Sequence, residues 1–340
     1  MSDISKADDR TLYGGQAVVE GVMMRSPRYF AIACRRLSNN EIVVKVEDVE
    51  AKMRKFQWLN KPFLRGSLAL VDAMAMGIRA LIYAANIQAA DERSSGEPTT
   101  DAVPTDSVEE VESKPINSIF IGGTLILALV FGYGFFWVLP DLIAQGAQAL
   151  LHIRHLSWKQ ELGVSLIEGL IRIAFFLGYV LLISRMEHVQ RVFQYHGAEH
   201  KAINTLEANL DLTVENARPA SRIHPRCGTN FIFIVLIVAI LVFALFGGVP
   251  RYIEVPLHLL LLPVVAGISF EILKFAGANR EKRWAQLMIA PGLATQYLTT
   301  RPPDDSQLEV ALASLKAVWN KEHAITEPEQ EQTEPTAAVA

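Results

Sequence analysis

The chain has 340 residues, a formal net charge of −4, a hydrophobic content of 51% and a mean hydropathy of +0.23. This composition is high in apolar residues for a soluble protein, and the charge gives no basis for nucleic-acid binding. The two cysteines, Cys34 and Cys227, exclude a disulfide framework and fit a reducing compartment.

Residues 1–92 predict a small α+β domain. From Gln16 to Met23 the side chains alternate as on a β-strand, which places Gln16 and Glu20 on one face of an otherwise apolar run. A carboxylate in such a run needs a cation, a hydrogen-bond donor or a metal, unless the strand is a solvated edge strand. The sequence leaves both interpretations of Glu20 open.

Two β-rich runs at 29–36 and 41–47 flank a polar turn and predict a β-hairpin. Residues 62–90 then predict a helix with a broad apolar surface, interrupted by Asp72 and Arg79. These charges favour a helix that lies on a membrane or packs against it over a helix that spans it.

Residues 93–115 predict a disordered linker, because acidic residues are mixed with Pro, Ser and Thr and few apolar residues remain to form a core. A transmembrane domain is predicted over residues 116–300. Its four apolar runs are long enough to cross a bilayer: 119–139, 162–183, 231–249 and 257–275.

Basic residues are concentrated in segments 184–228 and 274–301 and are sparse in the other connections. By the positive-inside rule, this asymmetry places the loop 184–228 and both termini in the cytoplasm. The lipid bilayer of the plasma membrane is therefore the one partner that the sequence indicates.

Glu168 and Arg172 lie one helical turn apart within the second apolar run. Charges inside a span often mark a pathway for ions or substrates, although a pair at this spacing also neutralises itself. Together with Glu271 in the fourth run, this pair leaves transport as one interpretation.

Residues 285–300 are too short to span a bilayer and contain Pro291 and Gly292, which predicts an interfacial or re-entrant segment. The segment 301–320 contains a predicted amphipathic helix at 306–319, with a capping residue among positions 304–306. Its apolar face comprises Leu308, Leu312, Leu315, Val318 and Trp319. A disordered tail is expected at 321–340.

The loop 184–228 holds four of the eight histidines, three of which are His196, His200 and His224, and one of the two cysteines. His196-Gly-Ala-Glu-His200 has the H-x-x-E-H pattern, which places two imidazoles on one face of a helix predicted over 186–208. Glu199 lies beside them as a candidate to activate water. Gly197 weakens the helix, and an ion in the space beside it would offset that cost.

His224-Pro-Arg-Cys227-Gly predicts a tight turn that presents metal ligands. Imidazole and thiolate together favour a divalent metal such as zinc, so the candidate ligands are His196, His200, His224 and Cys227. Four bound side chains would close the site and make it structural. Three would leave a position for water and permit catalysis, with Glu199 or Glu20 as the base.

Four stretches of the sequence resemble the YqhQ-like family of bacterial membrane proteins. They are GGQAVVEGVMMR at 14–25, HGAEHKAI at 196–203, SRIHPRCGTNF at 221–231, and APGL with TTRPPDDSQLEVAL within 290–312. That family is a domain of unknown function whose members are often labelled predicted metal-dependent enzymes. The resemblance implies a bacterial inner-membrane protein with a metal site, names no substrate, and draws attention to Glu20 within the first motif.

The expected fold is a mainly α-helical multi-pass membrane protein of about four transmembrane helices with a small N-terminal α+β domain. The leading interpretation of function is a zinc-dependent hydrolase with its site at the cytoplasmic membrane face. A non-enzymatic scaffold or assembly factor with a structural metal site, and a transporter, are the alternatives.

Overall fold

A computed structural model describes residues 13–49, 61, 64–95, 118–150, 158–246, 249, 251–279 and 281–323 of the chain. Most of the predicted linker at 93–115 lies outside the described residues, as does the predicted tail at 321–340 from residue 324 onward.

In the described part of the chain, four β-strands come first and helices follow. The strands are β1 Gly14–Val18, β2 Gly21–Arg25, β3 Tyr29–Arg35 and β4 Ile42–Asp48. The helices are α1 Leu64–Ser95, α2 Ser118–Tyr133, α3 Leu139–Leu150, α4 Trp158–Ile183, α5 Glu187–Glu207, α6 Val214–Ala217, α7 Gly228–Ala244, α8 Arg251–Ala278, α9 Arg283–Thr299 and α10 Asp305–His323. A π-helical turn, Gly134–Val138, joins α2 to α3.

The four strands form one antiparallel sheet in the order β1-β2-β3-β4. The predicted hairpin is confirmed as β3 and β4, paired from Tyr29 with Asp48 to Arg35 with Ile42. The single strand expected from Gln16 to Met23 is wrong. The chain instead turns back after Val18, because Glu20 adopts a left-handed φ of 52°, and β1 pairs with β2.

Both faces of the sheet are covered, since successive side chains of β2 and β3 point to opposite sides. One face packs on α1 through Val18, Met23, Phe30, Ile32 and Cys34, against Met76, Ala80 and Ala84. The other face contributes Val22, Met24, Ala31 and Ala33 to a core shared with α5 and α10.

The helix α10 confirms the predicted amphipathic helix, and all five predicted apolar residues are buried in the core of the sheet and α5. Its cap is Asp304, whose Oδ1 accepts from the Gln307 backbone N–H at 2.9 Å. The Gln307 Oε1 accepts from the Asp304 N–H at 3.0 Å, which completes a reciprocal capping box. The C-terminal helix and the N-terminal sheet are therefore parts of one folded body.

Among the described residues, four helical segments are long and apolar enough to cross a membrane. They are Arg65–Asp91, Ile126–Leu150, Leu162–Ile183 and Ile253–Ala278. The last three overlap predicted runs. The run expected at 231–249 differs, because α7 is an apolar helix of 17 residues that gives way to a turn at Leu245.

The helix α1 connects the sheet to the apolar helices. Arg25 of β2 donates to Asp72 at 2.7 Å, and the residues that follow Asp72 pack on the sheet. Near the start of α1, Arg65 pairs with Glu271 of α8, and the Ser67 hydroxyl donates to the Pro263 carbonyl at 2.8 Å. Half of this helix thus lies against the sheet, and its length and composition also make it a candidate span, which its charges had disfavoured.

The interruption expected at Pro291 and Gly292 is wrong, because α9 runs unbroken from Arg283 to Thr299. Gly292 lies against Asn230 near the start of α7, where a Cβ would collide with the Asn230 amide. The glycine thus serves close packing between α9 and α7 rather than a break in the helix.

Replacement of Leu315 by Ala tests the shared core of α5, α10 and the sheet. Leu315 is fully buried, whereas Leu210 is 46% exposed and provides a matched control. Loss of a buried leucine costs about 2–5 kcal/mol, so Leu315→Ala should lower the unfolding midpoint of the purified chain far more than Leu210→Ala. Equal midpoints would contradict the burial of α10.

Candidate metal centre

The helix α5 carries the H-x-x-E-H residues, as the spacing predicted. His196 and His200 stand one turn apart, and their ring centroids are 4.4 Å from each other. This places two imidazoles side by side on one face of a rigid element.

The space beside Gly197 is taken by protein backbone rather than left for an ion, which corrects the role expected for this residue. A Cβ at position 197 would collide with the carbonyl oxygen of Arg301. The Arg301 N–H also donates to the Phe193 carbonyl at 2.9 Å, so the chain after α9 crosses α5 in direct contact here.

Both histidines are oriented by backbone carbonyls through Nδ1. His196 Nδ1 lies 2.8 Å from the Thr299 oxygen, and His200 Nδ1 lies 2.6 Å from the Arg222 oxygen. Because a carbonyl can only accept, each Nδ1 carries the proton and each Nε2 keeps a lone pair. His200 is 1% exposed, and its Nε2 has no hydrogen-bond partner in the part of the chain that the structure describes.

Cys227 adds a sulfur atom to these two nitrogens. It is the N-cap of α7, and its Sγ lies 3.1 Å from His196 Nε2. Ligand atoms of His196, His200 and Cys227 all fall within 4.8 Å of one another. Two imidazole lone pairs and a thiol in a buried position fit a borderline-soft divalent ion such as zinc.

His224, the fourth predicted ligand, is adjacent but engaged elsewhere. Its ring centroid is 5.8 Å from that of His200, and its Nε2 lies 3.2 Å from Glu207 Oε1. Its Nδ1 faces the Arg226 N–H at 3.4 Å, and Arg226 also pairs with Glu207. Three of the four predicted ligands thus converge, with a His224–Glu207 pair beside them.

Gln296 of α9 positions the turn that carries His224, and sequence reasoning missed it. Its Oε1 accepts from the His224 N–H and its Nε2 donates to the His224 carbonyl, each at 2.9 Å. Gln296 is fully buried. The signal was a glutamine in an otherwise largely apolar stretch. Thr299 and Arg222 contribute only backbone carbonyls, which no side-chain pattern can reveal.

Glu199, the first catalytic candidate, is buried against strand β1 of the sheet. Burial raises the pKa of its carboxyl group to about 7, against the opposing effects of His196 and of a hydrogen bond from the Gly15 backbone. A Cβ on Gly15 would lie 2.9 Å from Glu199 Cγ, so β1 covers the side chain closely. A carboxyl group with a raised pKa therefore lies between the two histidines in the sequence of α5, close enough to His196 for the two charges to interact.

Glu20, the second catalytic candidate, also contacts α5, but through residues of that helix other than the two histidines. Its carboxylate accepts from Arg191 Nη2 at 2.6 Å and from the Tyr195 hydroxyl at 3.2 Å. Burial, together with the Glu20 charge, raises the pKa of Tyr195. Glu20 is 7% exposed, so it has the cationic partner that burial requires and does not lie on a solvated edge.

Comparison of the amino-acid sequence with known proteins identifies a family. A family model described as "Protein of unknown function (DUF1385)" matches residues 61–321. The chain belongs to this family. A relative, the "Uncharacterized protein YqhQ" of Bacillus subtilis (strain 168), is 35% identical over 322 residues, which cover 94% of this chain and 95% of the relative.

No solved structure matches the chain. The DUF1385 match contains His196, Glu199, His200 and Cys227, whereas Glu20 precedes it. The three converging ligands therefore lie within the portion that defines the family.

The contact of Gly197 with Arg301 predicts the effect of Gly197→Ala. An added methyl group forces the two backbones apart at a cost of about 1–3 kcal/mol, which outweighs the gain of roughly 1 kcal/mol from alanine in a helix. Gly178 of α4 has open space at its Cβ and is the control. Gly197→Ala should lower the unfolding midpoint, and Gly178→Ala should leave or raise it. A neutral Gly197→Ala would contradict the contact.

Proposed function

We propose that this chain is an integral membrane metalloprotein, and that it is a zinc-dependent hydrolase whose site lies at the cytoplasmic face of the membrane. The observation that carries the proposal is the buried Nε2 of His200, which has no hydrogen-bond partner among the described residues, beside the nitrogen of His196 and the sulfur of Cys227. A buried imidazole lone pair without a partner is unfavourable unless an ion uses it.

The cytoplasmic location rests on two observations. The sheet, α5 and α10 share one core, so the elements that carry the site lie on the same side of the apolar helices. The excess of basic residues in segments 184–228 and 274–301 assigns that side to the cytoplasm.

Catalysis is favoured over a purely structural site because, among the described residues, three ligand atoms converge rather than four. Zinc sites with three protein ligands keep a position for water or substrate, whereas structural sites are closed by a fourth. Both His224 ring nitrogens are engaged, so His224 leaves that position open.

The residues around the site have distinct roles in the proposed reaction. A divalent ion held by His196, His200 and Cys227 would supply Lewis acidity. The carbonyls of Thr299 and Arg222 fix the two imidazoles in the tautomer that binds metal. Glu199 takes a proton from the attacking water.

A structural metal site is the second candidate, and one observation favours it. The cluster joins α5, the start of α7 and, through Thr299, the end of α9. An ion there would hold three elements together and would serve a scaffold or assembly factor without any reaction.

His200→Ala and Glu199→Gln separate these candidates. The metal content of the purified chain should fall from about one equivalent to none in His200→Ala, whereas the exposed His188→Ala keeps it. Hydrolysis is followed with p-nitrophenyl esters and phosphates. Glu199→Gln should keep the metal but lose about 10²–10⁴-fold in rate, the usual contribution of a general base.

Two outcomes would contradict the hydrolase. In the first, Glu199→Gln and the wild type hydrolyse every substrate at the same rate. In the second, no substrate is turned over and His200→Ala lowers the unfolding midpoint, which assigns the ion to structure. Absence of metal from the wild type would contradict both candidates.

A further inference from the structure

A cavity lies away from the metal centre, among the apolar helices. It has a volume of about 770 Å³, is lined by α2, the π-helical turn, α4, α7 and α8, and is open on one side. Its walls are almost entirely apolar and include Leu129, Phe136, Phe176, Leu236, Ala239 and Leu259. This volume falls in the range of about 300–1,000 Å³ that is typical of small-molecule sites.

One cationic side chain lines this cavity. Arg172 of α4 is 6% exposed, and its guanidinium carbon lies 5.6 Å from the centre of the Trp137 ring. The nearest carboxylate is that of Glu168, with Oε2 at 3.6 Å from Nη2, which is too long for a hydrogen bond. Nε of Arg172 has no acceptor among the described residues.

Trp137 also lines the cavity and provides a second side-chain N–H donor. It belongs to the π-helical turn, and its indole Nε1 also lacks an acceptor in the described part of the chain. Turns of this kind are rare and occur frequently at functional sites. Two buried N–H groups without acceptors, in side chains that line one apolar cavity, represent a large unfavourable free energy unless an acceptor enters.

The neighbouring acid on α8, Glu254, makes no ion pair with Arg172 in the described part of the chain. Glu254 Oε1 lies 3.9 Å from His258 Nε2, and the His258 ring stacks on Phe243 with centroids 3.9 Å apart. Glu168 is thus the carboxylate that stands closest to Arg172, and its separation leaves room for a better-placed anion.

We propose that this cavity binds an amphiphile with an apolar chain and an anionic oxygen head, a carboxylate or a phosphate, that accepts from Arg172 and Trp137. The apolar walls exclude a small hydrophilic anion, and the donors select against a purely apolar molecule. The ligand enters from the bilayer, because α2 presents Leu129 and Val130 to its surroundings at 61% and 65% exposure. This site is independent of the metal and of the hydrolase.

The test uses the purified full chain in phosphatidylcholine nanodiscs with a diazirine-bearing fatty acid as the probe. Irradiation should label peptides of α2, the π-helical turn and α7 in a saturable manner. Excess oleate should compete, and oleyl alcohol, which has the same chain without charge, should compete about tenfold less well, the effect of one charge-assisted hydrogen bond. Competition by dioleoyl phosphatidic acid tells whether a phospholipid or a free fatty acid is preferred.

Two pairs of variants locate the site. Gly132 lines the cavity and Gly123 does not, and a Cβ at either has no atom within 4 Å, so both tolerate leucine. Gly132→Leu should abolish the saturable labelling and Gly123→Leu should keep it. Arg172→Gln should weaken oleate competition about tenfold, whereas Glu168→Gln should strengthen it, because a competing carboxylate is removed.

Equal labelling of Gly132→Leu and Gly123→Leu would overturn the proposal, since the probe would then report the bulk bilayer. Equal competition by oleate and oleyl alcohol in the wild type would also overturn it, because the cavity would then recognise only the alkyl chain of the ligand and not its anionic head. The Gly132→Leu result stands even if Arg172→Gln fails to fold.

Discussion

The candidate metal centre depends on two hydrogen bonds between imidazole Nδ1 atoms and backbone carbonyls. Thr299 at the end of α9 fixes His196, and Arg222 in the loop before α7 fixes His200. Each bond places the proton on Nδ1 and leaves the Nε2 lone pair facing inward, toward the thiol of Cys227. The tautomer needed for metal binding is therefore set by the tertiary fold, since both acceptors come from outside α5.

The helix α5 links this centre to the N-terminal sheet through two buried carboxylates. Glu20 reaches α5 through Arg191 and Tyr195, and its charge is balanced there. In the part of the chain that the structure describes, Glu199 has no arginine or lysine partner, and burial is the largest effect on its carboxyl group, so its pKa rises to about 7. Two acids at one interface thus acquire different properties. Glu20 fixes the β1–β2 turn against α5, whereas burial raises the pKa of Glu199 on the helix that carries the histidines.

Sequence reasoning predicted those parts of the fold that follow local patterns. The β3–β4 hairpin and α10 were predicted because the alternation of a strand and the periodicity of a helix depend only on residues that are close together in the sequence. The turn at Glu20 was missed, because an acidic residue with positive φ is rare and only its partners on α5 explain it. The helix through Pro291 was missed for a related reason, since contact with α7 outweighs the local tendency of Pro-Gly to end a helix.

The same distinction applies to the candidate site. Spacing alone found His196 and His200, and the clustering of rare residues added Cys227. The sequence could not separate His224 from the other ligands, because its engagement with Glu207 depends on a loop conformation that Gln296 holds. Nor could it reveal that Arg301, rather than an ion, occupies the space beside Gly197.

X-ray absorption at the zinc edge of the purified wild-type chain tests the central claim most directly. The account predicts one sulfur at about 2.3 Å and nitrogen or oxygen neighbours at about 2.0–2.1 Å, with the sulfur lost in Cys227→Ser. A shell of oxygen alone, or a spectrum unchanged by Cys227→Ser, would show that the two imidazoles and the thiol do not share an ion.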